Sequence, residues 1–315
     1  MARAAARPTR FRKQGCALLA AAALSAAVGC SGEPSRGGPS ESGSGSRAER
    51  DAGQSDQPSE DPSAGPGKSP RNGPYEVRTQ SVQKGDVDGD FGSATVHYPA
   101  DGSRDYGVIA ASPGLGADES MVRPFGELLA SHGFVLITFN TKTLQDTPAQ
   151  RGRQLLRALD YAAERSAAAD RADPGRLGVL GHSMGGGGAL HAASRNPKIK
   201  AAVPLTPYAG KGDWSGVPAA TLVIGGSSDE IAPPSDHAEV FYDGLSDAKD
   251  KAYLELEGDH FVATPPDGLV SRQMVAWFRY FVGGDAASGE ALCPAPREER
   301  VVESRDTCPY EQPDE

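Results

Sequence analysis

The stretch Leu177-Gly178-Val179-Leu180-Gly181-His182-Ser183-Met184-Gly185-Gly186-Gly187-Gly188-Ala189-Leu190 decides how this chain is read. A short apolar run ends in Gly-x-Ser-x-Gly, and a helix opens directly after it through Gly188-Ala189-Leu190. Read together, these residues form a strand that turns sharply into a helix, with Ser183 in the strained, exposed turn. Glycines at the flanking positions let neighbouring backbones pass close by. The main-chain N–H of Met184, at the start of the helix, can then donate to a developing oxyanion.

On either side of this elbow the pattern alternates. Short β-rich runs at Gly107 to Ser112, Phe134 to Phe139, Arg176 to Leu180, Lys200 to Leu205, Ala219 to Ile224 and Ala252 to Glu257 are separated by segments of helical period. Those segments lie near Glu119 to Ser131, Thr147 to Arg165, Gly185 to Ser194, Ser235 to Leu245 and Leu269 to Phe281. Two alternating stretches, Tyr75 to Val82 and Ser93 to Tyr98, come first and read as antiparallel strands. The expected class is α/β, a mostly parallel central sheet with helices on both faces and no lid-like insertion. Its active site belongs beyond the carboxyl ends of the strands.

A serine near its free pKa needs a base. In a strand-turn-helix serine enzyme the order is Ser, then Asp or Glu, then His. That order removes His97, His132 and His182; His191 lies in the helix after the serine, and His237 falls only eight residues past the best acid position, in an expected helix. His260 remains, just after Ala252-Tyr253-Leu254-Glu255-Leu256-Glu257 and a Gly258-Asp259 turn. The acid should follow Thr221-Leu222-Val223-Ile224-Gly225-Gly226; Asp229 is favoured and Glu230 is the reserve. Ser112-Pro113-Gly114-Leu115-Gly116 occupies the loop that carries the second oxyanion donor, the main chain of Leu115.

The ends of the chain read differently. Five basic residues up to Lys13 precede an apolar run from Cys16 to Val28, then Gly29 and Cys30, so residues 1–29 read as an export signal too short to span a membrane. Ala27-Val28-Gly29-Cys30 resembles a lipobox, which makes Cys30 the lipidation site and the membrane a partner through acyl chains. From Ser31 to Pro74, 26 of 44 residues are Ser, Gly or Pro, a composition that cannot bury enough apolar surface to order itself. This span reads as a tether, and residues 75–315 as one domain. Of the formal net charge of −10, this domain holds 22 basic against 35 acidic residues, which excludes a nucleic-acid partner, since phosphate contacts need clustered Lys and Arg. Cys293 and Cys308, the only cysteines outside the signal region, read as a disulfide in an exported protein.

Segments spread over the whole domain resemble the actinobacterial polyester hydrolases and cutinases, including enzymes that attack poly(ethylene terephthalate). They are Gly73-Pro74-Tyr75, Ser112-Pro113-Gly114, Ala130-Ser131-His132-Gly133-Phe134-Val135, Gly181-His182-Ser183-Met184-Gly185-Gly186-Gly187-Gly188, Pro204-Leu205-Thr206-Pro207, Ile231-Ala232-Pro233, Lys251-Ala252-Tyr253-Leu254-Glu255-Leu256 and the Cys293 to Cys308 tail. The resemblance implies an α/β-hydrolase with Ser183 as nucleophile, Asp229 as acid, His260 as base and the amides of Leu115 and Met184 as oxyanion hole. It also implies that Tyr208 and Ile231 line the acyl cleft.

The chain departs from the family where Leu115 replaces an aromatic residue and Tyr208 a Trp. Leu cannot stack on an aromatic ring, so aliphatic esters should be handled better than terephthalate. Ser227 stands where calcium-binding relatives carry a carboxylate, so no metal and no cofactor are expected. The expectation is a monomeric, lipid-anchored or secreted ester and polyester hydrolase. The alternatives are a lipase or small-molecule carboxylesterase on the same fold and, in another class, a surface-anchored binding protein on a decayed scaffold.

Overall fold

The computed structural model describes residues 72–102, 105–210 and 212–311. The expected signal, Cys30 and the tether to residue 71 lie outside the described residues. Nine strands form one sheet: β1 (Val77–Val82), β2 (Ala94–Pro99), β3 (Tyr106–Ser112), β4 (Phe134–Phe139), β5 (Ala172–His182), β6 (Ile199–Leu205), β7 (Ala220–Gly226), β8 (Lys251–Leu256) and β9 (Val301–Asp306). Their order is β1-β2-β4-β3-β5-β6-β7-β8-β9. The run from β4 to β8 is parallel throughout, while β1, β2 and β9 pair antiparallel at the two edges. This is the mostly parallel α/β-hydrolase sheet that the sequence pattern implies.

Helices α1 (Arg123–Ser131) and α5 (Gly268–Phe281) cover one face; α2 (Pro148–Glu164), α3 (Met184–Ala193) and α4 (Ala238–Gly244) cover the other. Successive strand residues therefore serve opposite cores. In β3, Val108 and Ala110 pack toward α2 and α3, whereas Ile109 and Ala111 pack toward α1 and α5. With both faces covered, central strands are apolar at most positions, which is why they read as nearly unbroken runs rather than alternation. Met274, Trp277, Phe278 and Phe281 of α5 are all buried in the core.

Two expected helices are shorter than their apolar pattern. Glu119 to Ser131 divides into a single 3-10 turn, Glu119–Met121, and α1, because Pro124 has no N–H to continue a helix and is tolerated only in its first turn. Ser235 to Leu245 divides at His237, whose φ −132° and ψ −85° are not helical, between the 3-10 turn Pro234–Asp236 and α4. Strand β9 is absent from the sequence reading. Its Val-Val-Glu-Ser-Arg-Asp segment is half-exposed and charged, as suits an edge strand, and carries no apolar run. The disulfide Cys293–Cys308 joins the segment after α5 to the end of β9, as the cysteine spacing suggested.

His97, set aside as a base by its place in the chain, is buried in β2 beneath Gly126 of α1, with neither ring nitrogen hydrogen-bonded among the described residues. Burial pushes its pKa from 6.5 down to about 4, against the opposing pull of Glu119. The unfolded chain thus binds a proton that the folded one does not between those values. Stability from this site is complete above about pH 6.5 and falls as pH drops toward 4, by on the order of 3 kcal/mol. The melting temperature of His97→Leu should fall less than that of the wild type between pH 7 and pH 4.5; equal slopes in a thermal scan would refute the assignment.

Candidate active site

Ser183 ends β5 and caps α3 with φ 55° and ψ −120°, a conformation that non-glycine residues seldom adopt. The elbow is held on all sides: the Ser183 N–H donates to the Leu205 carbonyl (2.9 Å), and its own carbonyl accepts from Gly187 (3.1 Å) and Tyr208 (2.9 Å). A Cβ on Gly181 would lie 2.3 Å from the Gly185 carbonyl oxygen, and one on Gly185 would lie 2.1 Å from that of Ser112. Only glycine fits at either position. The loop after β3 therefore presses directly onto the elbow, and an ideal Cβ on Gly114 would stand 3.1 Å from Cβ of Ser183.

Asp229 follows β7 and is buried. Its Oδ1 accepts from the amides of Ile231 (2.9 Å) and Ala232 (2.7 Å), while Oδ2 accepts from His260 Nδ1 at 2.7 Å. Both side chains of the pair are almost wholly inaccessible. The loops that carry them are stitched together, since Ser227 donates to Leu256 O and Ser228 to Gly258 O, both at 2.9 Å. Glu230, the reserve acid, is exposed and makes no such contact with His260. With Nδ1 committed to the carboxylate, Nε2 of His260 is the nitrogen that can exchange a proton with a group in the cleft.

The backbone of His260 is itself clamped. Its carbonyl accepts from Thr206 Oγ1 (2.8 Å) and from His182 Nε2 (2.9 Å). A carbonyl only accepts, so His182 is the Nε2–H tautomer, and burial pushes its pKa down to about 4. Ser183, Met184, Leu115, Tyr208, Ile231 and His260 all line one open cleft of about 720 Å³. The sequence reading did not place His182, Phe261 or the stretch from Ala117 to Met121 on its walls. Phe261 stacks on His182 with ring centroids 5.4 Å apart and stands half-exposed beside His260. Adjacency to His260 was its only signal in the sequence. Tyr208 rests on His237, centroids 4.8 Å apart, and burial lowers the pKa of that imidazole.

Among the described residues one group of three carboxylates comes close together, Glu239, Glu255 and Glu303, away from the cleft. Arg305 donates to Glu239 and Glu303, and Tyr253 donates to Glu255, so each carboxylate has a hydrogen-bond donor within the protein.

A serine elbow at the tip of a central parallel strand, facing a carboxylate-bound imidazole from the last parallel strand, is the arrangement of the α/β-hydrolases. Comparison with known proteins narrows the class. A family model described as PET hydrolase-like matches residues 51–309. Cutinase 2 of Thermobifida cellulosilytica is 44% identical over 246 residues, covering 76% of this chain and 93% of the relative. Cutinase cut1 of Thermobifida fusca is 44% identical over 246 residues, covering 76% of each chain. A bis(hydroxyethyl) terephthalate hydrolase of Streptomyces coelicolor is 44% identical over 243 residues, covering 76% of this chain and 77% of the relative. The chain belongs to the PET hydrolase-like family.

Replacing Asp229 by Asn keeps the side-chain volume but removes the charge that orients the imidazole. Asp229→Asn should lower kcat on p-nitrophenyl butyrate by about 10³- to 10⁴-fold, while Glu230→Gln stays within about twofold of wild type. Comparable losses in both variants, measured by steady-state kinetics, would return the acid role to an open question.

Proposed function

We propose that Ser183, His260 and Asp229 act as the nucleophile, base and acid of a carboxylic ester hydrolase of the cutinase and polyester hydrolase type. The observation that carries this reading is the 2.7 Å bond between the buried carboxylate of Asp229 and His260 Nδ1, in the same cleft as a serine on a strained elbow. His260 Nε2 takes the Ser183 proton as Oγ attacks the ester carbonyl, and Asp229 stabilises the resulting imidazolium. The oxyanion is met by the amides of Leu115 and Met184, the latter at the N-terminus of α3. The proton passes to the leaving alcohol, and water then frees the acid from the acyl-enzyme.

The cleft supports a long apolar ester. Leu115 (54% exposed), Ile231 (57%) and Phe261 (48%) rim it, and Tyr208 lies along its wall. The names of the relatives, cutinases and a bis(hydroxyethyl) terephthalate hydrolase, point to the same substrates. Leucine at position 115 favours aliphatic chains over terephthalate, because stacking contributes only about 0.5–1.5 kcal/mol beyond contact area and Leu115 offers none. A lipase or small carboxylesterase differs in chain-length preference. Ser183→Ala should abolish p-nitrophenyl butyrate hydrolysis and fluorophosphonate labelling, and the wild type should clear aliphatic polyester emulsions faster than it releases product from terephthalate film. Undiminished hydrolysis by Ser183→Ala would end the reading.

We also propose export through residues 1–29, lipidation of Cys30 and a tether to residue 74 that holds a monomeric catalytic domain, residues 75–315, outside the membrane. The lipobox-like sequence and the Ser-, Gly- and Pro-rich span support this. Cys30→Ala should move activity from the membrane fraction to the medium; retention in the membrane would remove the anchor.

A further inference from the structure

Arg151 lies in the first turn of α2 and is completely buried, at 0% exposure. Burial pushes its pKa down to about 10, so the guanidinium stays charged at working pH. A charge so placed needs strong partners, yet among the described residues it hydrogen-bonds no carboxylate: the oxygens of nearby Asp146 accept instead from Thr143 and Gln154. All its partners are main-chain carbonyls, Asp146 O from Nε (2.8 Å), Pro113 O from Nη1 (2.9 Å) and Leu144 O from Nη2 (3.0 Å).

These carbonyls bracket the loop after β3. Arg151 grips Pro113 directly. It grips Gly116 through Leu144, whose carbonyl also accepts the Gly116 N–H at 3.0 Å. Between the two lie Gly114 and Leu115. Glycine at 114 and at 116, where φ is 72°, leaves this segment free to relax unless something holds both ends. Among the described residues the only other donor to Pro113 O is Ser112 Oγ, at a long 3.5 Å. The stem of Arg151 also meets α3, since a Cβ on Gly188 would lie 2.9 Å from Arg151 Cβ. One side chain thus touches both elements that carry the proposed oxyanion amides.

We propose that Arg151 is the positioning residue that holds the Leu115 amide aimed at the oxyanion. This rests on the reading of Leu115 and Met184 as the oxyanion hole. An oxyanion donor is effective because it is fixed before charge develops, and a planar fork with five N–H groups can hold three carbonyls in a set geometry where an ammonium cannot.

The test compares Arg151→Met and Arg151→Lys in the full chain, each assayed well below its own melting temperature and counted by fluorophosphonate titration. For Arg151→Met, kcat per labelled site on p-nitrophenyl butyrate should fall about ten- to a hundredfold, approaching the loss of one oxyanion donor, with KM within about twofold. Inhibition by butylboronic acid, whose serine adduct is tetrahedral, should weaken in parallel, and Arg151→Lys should lie between. Wild-type kcat in folded variants, or a kcat loss with unchanged boronate inhibition, would overturn the proposal. So would failure of both variants to fold, which assigns Arg151 to the fold alone. Ser183→Ala in the same series separates the two levels: if it stays active the catalytic reading fails, and if it alone is inactive only the role of Arg151 does.

Discussion

The site depends on the close approach of two backbones. Where β5 turns into α3, the chain runs so near the loop after β3 that a side chain on Gly185 would overlap the Ser112 carbonyl. The turn itself holds Ser183 at a positive φ, a strain of about 1–3 kcal/mol that persists only when its surroundings over-determine it. They do so from both sides of the sheet. Strands β3, β5 and β6 are buried on both faces, and their hydrogen bonds lock the elbow to Leu205 and Tyr208. Ser183, the loop after β3 and Tyr208 are thereby fixed relative to one another by main chain, and side chains only refine the arrangement.

A second layer of constraint is polar. The base loop hangs from β8 but is tied to β6 through Thr206, to the elbow through His182 and to β7 through Asp229. Thr206 also sits at a positive φ, 36°, which points to the same pattern of local strain held by surrounding bonds. In each case a buried donor meets a buried acceptor, so burial that would be costly for a lone group strengthens the pair. The oxyanion loop has an analogous tie in Arg151. The two halves of the cleft are held by different chemistry, an imidazole with a hydroxyl on the His260 side and a guanidinium on the other.

Much of this was legible in the residues. The elbow declared itself because its glycines are required by contact, and the parallel strands because burial on both faces demands continuous apolar runs. Histidine elimination reached His260 since chain order in this topology leaves few candidates. What escaped is equally physical. Strand β9 is an edge whose charged side chains hide its periodicity. Phe261 lies in a loop, where no period tells which way a side chain faces. Arg151 is the sharper case: on a helix of polar and apolar residues an arginine reads as part of the solvated face, and only three carbonyls from distant loops show why it is inside.

The same geometry bears on what the cleft prefers. Its rim is built from side chains that hold their places for other reasons: Ile231 because its amide binds Asp229, Leu115 because its loop is gripped at both ends, Phe261 because it stacks on the imidazole that clamps His260. Tyr208 is pinned twice, by its N–H on the Ser183 carbonyl and by its ring on His237. The main chain beneath this wall is thus held by bonds that also serve the buried Asp229, His260 and the elbow. The side chains above it, Leu115, Ile231 and Phe261, are about half exposed and give the cleft an apolar rim open to solvent. The aliphatic preference proposed from Leu115 therefore rests on how this rim is anchored as much as on the missing aromatic ring at position 115.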